Sequence, residues 1–79
     1  MDRTSVVSSN LKSVGYDVNT KILEIEFQNG SVYQYYEVPL NIYEGLMKAP
    51  SHGKFFHTRI RNIYRYRRIK KSILTSEII

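Results

Sequence analysis

At 79 residues, 42% of them hydrophobic and none of them cysteine, the chain forms one folded domain without disulfides, thiolate metal sites or a cysteine nucleophile. Its net charge of +5 is concentrated at one end: residues 1–53 carry four Lys or Arg against six Asp or Glu, whereas residues 54–79 carry eight against Glu77 alone. A chain this short holds a modest binding face more readily than a deep catalytic cleft, and its thin core fits a monomer or a weak homodimer.

In chain order, residues 1–9 are rich in Ser and are expected to lead loosely into a single domain over 10–71, followed by a short apolar tail over 72–79. Val14-Gly15-Tyr16 and the run Ile22 to Phe27 read as strands around a turn built on Asp17 to Lys21. Asn29-Gly30 then separates Phe27 from Val32, and Asn-Gly between alternating apolar residues is a strong hairpin signal. A two-residue loop there sets Phe27 opposite Val32, Glu26 opposite Tyr33 and Glu24 opposite Tyr35. One face then gathers Leu23, Ile25, Phe27, Val32, Tyr36 and Val38 as the core face, joined by Val14 and Tyr16 if the first loop has four residues. The other gathers Glu24, Glu26, Tyr33 and Tyr35.

Pro39 suits the first position of a helix, in which Leu40, Tyr43, Leu46 and Met47 recur at helical spacing. Pro50 ends this helix by about Ala49, and Ser51 is placed to cap a second one, with Phe56, Ile60 and Ile63 on one face. From Ile63 the period changes to two, which predicts a last strand carrying most of the cations. The expected class is α+β: a small antiparallel sheet, consisting of a three-stranded meander plus a C-terminal strand, with two helices packed on one face.

Seven of the twelve basic residues fall between Arg59 and Lys71, alternating with aromatic and aliphatic residues. Such a strip attracts polyanions, because each neutralised phosphate releases counterions and neighbouring rings add base stacking. Arg59, Arg61, Arg65, Arg67, Arg68, Lys70 and Lys71 are the candidate phosphate contacts, with Tyr64 and Tyr66 as stacking rings. Tyr33 and Tyr35 are candidate stacking residues of their own. Against that role stand Glu24 and Glu26 on the same predicted face, which repel phosphate; a cationic last strand crossing that face would neutralise them and cover both rings.

Other chemistry finds little footing. His52 and His57 are five apart, where a helical metal pair needs three or four, and no third ligand is near. Ser51 beside His52 reads as a cap rather than a nucleophile with its base, because adjacent helical residues do not face each other. Glu24 and Glu26 sit on an open strand face that offers no burial to tune an acid. No metal, cofactor or catalytic residue is expected. Met1 to Asn10 lacks the apolar run of a signal peptide, and no segment approaches a membrane span, so the default location is cytoplasmic.

From about Val7 to Ile69 the chain resembles the KTSC domain, a small module named for its place at the C-terminus of some lysyl-tRNA synthetases and also found as a stand-alone bacterial or phage protein. The resemblance rests on Val7-Ser8-Ser9, Val14-Gly15-Tyr16-Asp17, Leu23 to Phe27 with Gly30, the Tyr-x-Tyr motif at Tyr33-Gln34-Tyr35, and Val38-Pro39. Ala49, Ser51, Gly53, Phe56 and Ile60-Arg61 match the helical half, while His57 stands where the family often has Asn. It implies the α+β fold and, through the synthetase context, RNA binding. The leading expectation is therefore a non-catalytic nucleic-acid-binding module that prefers RNA to DNA. The rival class is a protein-interaction module, of phage or accessory type, that binds an acidic partner and uses the apolar tail at Ile73, Leu74, Ile78 and Ile79. A small nucleotide-handling enzyme is the weaker third.

Overall fold

The alternation of apolar residues between Leu11 and Tyr35 folds as a meander. In the computed structural model, which describes residues 1–70, five strands form one antiparallel sheet in sequential order. They are β1 (Thr4–Ser5), β2 (Leu11–Asp17), β3 (Ile22–Phe27), β4 (Val32–Tyr35) and β5 (Tyr66–Lys70); helices α1 (Leu40–Lys48) and α2 (His52–Arg59) fall between β4 and β5. The α+β class and the last strand are as expected. The sheet gains β1 as an edge strand beyond the expected meander, formed where Thr4 pairs with Val14 and Ser5 with Ser13. Lys71 and the predicted tail lie outside the described residues.

The first hairpin has the four-residue loop, since Tyr16 pairs with Leu23 and Asp17 with Ile22. The Asp17 carboxylate accepts from the Asn19 N–H at 2.9 Å and the Thr20 N–H at 3.4 Å, which fixes the loop. Lys21 closes it at φ 58°. Val14 and Tyr16 thereby join the core face, the outcome that the sequence makes conditional on a four-residue loop.

The second hairpin departs from its predicted register by one residue. The Phe27 N–H donates to the Ser31 carbonyl and the Gly30 N–H to the Phe27 carbonyl, both at 2.9 Å. Gly30 has φ 92°, in the left-handed region that glycine enters without steric cost. The loop is therefore three residues, 28–30, a common hairpin solution that competes with the two-residue Asn-Gly turn. Asn29 Oδ1 stabilises it by accepting from the Ser31 N–H at 3.0 Å and its hydroxyl at 2.7 Å. The pairs become Leu23 with Tyr35, Glu24 with Gln34, Ile25 with Tyr33 and Glu26 with Val32. Because side chains alternate, this slip carries Tyr33 and Tyr35 to the core face and Val32 to the opposite one.

The core joins Leu11, Val14, Leu23, Ile25, Tyr35 and Val38 to Leu46, Phe56 and Ile60 of the helical segment. Tyr36, expected in this core, is only partly buried and lies outside the cluster. Glu37, at φ 56°, turns the chain so that Val38 is fully enclosed and its N–H reaches the Lys21 carbonyl at 2.9 Å. Pro39 sits just ahead of α1 as its cap, at ψ 152°, and its carbonyl accepts from the Ile42 and Tyr43 N–H groups at 3.0 and 3.4 Å. On α1, Leu46 is buried with Ile42, Tyr43 and Met47 packed around it, while Leu40, expected inward, is 44% exposed at the first turn. The Tyr43 ring stacks on Tyr16 at 4.9 Å, and the Tyr16 hydroxyl donates to the Val38 carbonyl at 2.5 Å.

Ser51 caps α2, its Oγ accepting from the Lys54 N–H at 3.2 Å. The helix stops at Arg59, and Asn62 at φ 65° bends the chain out of helical geometry. Tyr64, and not the predicted Ile63, consequently returns to the core; Ile63 is 59% exposed. No helix among the described residues is long and apolar enough to cross a membrane.

Candidate nucleic-acid interface

Strand β5 extends the sheet alongside β4, pairing Tyr35 with Tyr66, Gln34 with Arg67 and Tyr33 with Arg68 before a shift sets Val32 opposite Lys70. The cationic strand thus lies in the plane of the sheet and does not cross the glutamate face. Alternation along it divides the strip. Tyr66 and Arg68 share the helix-side face with Tyr35 and Tyr33, whereas Arg67 shares the opposite face with Gln34. All five residues of β5 are exposed.

On that opposite face the glutamates are neutralised from elsewhere. Arg3 Nη1 pairs with Glu24 Oε2, and a second guanidinium nitrogen lies 3.8 Å from Glu26. Ser13 joins the two, accepting from Arg3 Nε at 3.0 Å and donating to Glu26 Oε1 at 2.9 Å. Gln34 Nε2 donates to the remaining Glu24 oxygen at 2.9 Å. Glu24 is only 5% exposed, so this carboxylate is bound inside the protein. The Asp2 carbonyl closes over the sheet at Gly15, where a Cβ would come within 2.6 Å of it. Sequence reasoning missed Arg3, placed in a loose lead; the signal available was Gly15, a strand glycine that marks close backbone approach.

The helix-side face carries the aromatic residues. The Tyr66 ring lies 5.6 Å from Tyr33 and 5.8 Å from Tyr35, and Phe56 of α2 meets Tyr35 edge-on at 5.5 Å and Phe27 at 5.3 Å. These rings, with Asn29, Ser31, Arg61 and Asn62, line an open cleft of about 360 Å³ between the sheet and the end of α2. A second recess of about 450 Å³ shares Phe27, Phe56 and Arg61 and continues past Lys54 and His57. Burial pushes the Tyr35 hydroxyl above its ordinary pKa, and neighbouring Tyr33 and Tyr66 add to this while Arg61 opposes it. The hydroxyl therefore stays protonated at neutral pH.

The remaining candidates are dispersed. Arg59 lies over the Phe55 ring at 6.0 Å. Arg61 Nη1 approaches His57 Nδ1 at 3.3 Å, and Arg65 forms an exposed pair with Glu37 at 3.4 Å. Tyr64 packs against the core, so of the two predicted stacking rings it is Tyr66 that faces the cleft. His52 Nδ1 sits 2.8 Å from the Leu46 carbonyl, tying the end of α1 to the start of α2. The structure thus gathers Arg61, Tyr66 and Arg68 with Tyr33 and Tyr35 on one side and separates Arg59, Arg65 and Arg67 from them. Phe27 and Phe56 belong to the cleft although the sequence marks them only as core residues, and Asn62 joins them with no mark in the sequence.

Comparison with known proteins adds four findings. The sequence model of the KTSC domain matches residues 7–66. An uncharacterized protein of Stutzerimonas stutzeri is 41% identical over 70 residues, covering 87% of this chain and 99% of its own. A lysine–tRNA ligase of Nostoc sp. is 39% identical over 61 residues, covering 77% of this chain; the chain spans only 11% of that relative. Among solved structures, the crystal structure of a KTSC domain protein from Yersinia pestis superposes with a TM-score of 0.82 at 39% identity, over 86% of this chain and 96% of its own.

Proposed function

The chain belongs to the KTSC domain family, and we propose that it is a non-catalytic nucleic-acid-binding module of the cytoplasm that takes RNA in preference to DNA. One observation carries the reading: Arg61 and Tyr66 line an open aromatic cleft and Arg68 lies on the same face of the sheet opposite Tyr33, so charge for phosphate and a surface for bases are adjacent. Arg59, Arg65, Arg67 and Lys70, exposed but set apart from the cleft, add to the positive field of the molecule. Preference for RNA draws support from relatives named as lysine–tRNA ligases, in which the matching segment is a small part of the chain. The test is the salt dependence of binding to a single-stranded oligoribonucleotide. With about four phosphate contacts, log affinity should fall against log salt with a slope near −3, and Arg67→Ala and Arg68→Ala should each lower that slope by roughly one. Absence of binding at low salt, or binding indifferent to salt, would remove the proposal. Capture of a protein partner that survives nuclease treatment would favour the rival, an accessory module on an acidic protein surface.

A further inference from the structure

The aromatic cleft has a more specific use than general stacking. Its volume of about 360 Å³ lies at the small end of the ~300–1,000 Å³ typical of ligand pockets, which suits one nucleotide unit and not a length of duplex. The Tyr33, Tyr35 and Tyr66 rings already touch at centroid separations of 5.6–6.4 Å, so no base can enter between them. The free surface lies on the cleft side, where Tyr66 remains 58% exposed and Tyr33 is partly so. Phe56 of α2, packed edge-on against Tyr35, and Arg61 and Asn62 beyond the helix complete the lining, so the opening is a slot with polar side chains among its rings. A base held in a stacked helix cannot enter such a slot, whereas an unpaired one can turn into it. Arg61 stands at the mouth of the cleft, where it meets the phosphate of the inserted unit, and Arg68, next along the helix-side face from Tyr66, meets the following one.

From this geometry, and resting on the RNA reading above, we propose that the cleft is a single-base pocket: one unpaired nucleobase of single-stranded RNA stacks on Tyr66, with the tilted Tyr33 ring against its edge, while Arg61 holds its phosphate. Asn62 supplies a side-chain amide at the rim for the polar edge of the base. The same amide can be removed without disturbing the chain, because Asn62 sits at φ 65° and glycine adopts that conformation freely.

The experiment compares a single-stranded oligoribonucleotide with a fully paired RNA hairpin of equal phosphate number, using wild type, Tyr66→Leu, Asn62→Gly and Arg67→Ala. Wild type should prefer the single strand, and Tyr66→Leu should lose roughly 5- to 150-fold on it, the range of one stacked base, with little change on the hairpin. Asn62→Gly should weaken the single strand alone by a smaller factor. Arg67→Ala, on the other face, should weaken both RNAs alike. The ring resonances of Tyr66 should shift with adenosine monophosphate as the probe. Equal binding of the two RNAs, with Tyr66→Leu no worse than Arg67→Ala, would overturn the pocket while leaving phosphate binding intact. Failure to bind either RNA would overturn the RNA reading and the pocket with it. Displacement of RNA by an acidic tyrosine-containing peptide that shifts Tyr66 would instead assign the cleft to a protein.

Discussion

The two faces of the same sheet solve opposite problems. On one, Glu24, Glu26, Ser13, Gln34 and Arg3 satisfy one another, and the N-terminal segment closes over them at Gly15. On the other, five aromatic rings crowd the sheet and helix α2 but leave an open side between charged side chains. A closed polar network has its partners already, so its worth is structural. An aromatic cleft lined by five rings and Arg61 has surface still to cover, which is why the proposed binding site lies there. Charge alone does not tell the faces apart; the completeness of its pairing does.

The contrast can be attacked most forcefully at Tyr35, which belongs to the cleft by its lining and to the core by its burial. Tyr35→Ala should cost about 3–5 kcal/mol of stability, as large aromatic truncations in cores do, and chemical denaturation measures it. A loss below about 1 kcal/mol would mean that the ring is an exposed platform after all. Arg3→Ala comes next, expected to cost about 1–3 kcal/mol because it strands the buried Glu24 carboxylate. Adding Glu24→Gln to it should restore much of the loss, and simple additivity of the two substitutions would show that they do not interact. Tyr66→Ala should change stability by less than about 1 kcal/mol, since the ring is mostly exposed; a large drop in Tm would make it structural and erase the contrast.

The smallest effect belongs to Asp17. Hydrogen bonds from the Asn19 N–H, then Thr20, hold its carboxyl below the usual range. A depressed folded-state pKa adds stability above the unfolded value, and that stability fades as pH falls through the folded one. Asp17→Ala should therefore flatten slightly the acid side of a Tm-against-pH curve, between about pH 5 and pH 2. An unchanged curve would show that the loop owes nothing to the carboxylate.

The first hairpin was legible as two strands around Asp17 to Lys21, but its four-residue loop, which turns Val14 and Tyr16 inward, was left open and is set by the Asp17 carboxylate bonding Asn19 and Thr20. The second was misread because Asn29-Gly30 fits two turns, and the choice between a two- and a three-residue loop rests on where Ser31 directs its N–H and hydroxyl. That one-residue ambiguity decided the environment of Tyr33 and Tyr35. The helices were clear from Pro39, Pro50 and Ser51, but their inward faces were offset near the ends, where Leu40 and Ile63 escape the core. Of the candidate cleft, Arg61 and Tyr66 were marked by the alternation of cations and rings in the sequence, which could not separate them from Arg59, Arg65 and Arg67 elsewhere on the surface. Arg3 was not, because an ion pair between residues 3 and 24 has no local pattern and Gly15 signals only that some backbone approaches closely there. Phe27, Phe56 and Asn62 meet only through the register and the bend after α2.

The order of strands in the sheet has a kinetic side. Each of β1 to β4 pairs with its neighbour in sequence, so those ladders close over short loops, whereas β5 must wait for both helices before it can reach β4. Every residue of β5 is exposed, which places it among the segments that open most easily. Tyr66 and Arg68 ride on that strand, so the cleft is among the last parts of the described domain to assemble and among the first to come apart. Amide exchange along Tyr66–Lys70 should accordingly outpace that of Leu23–Phe27, and an RNA seated in the cleft should slow it by holding the closing strand in place.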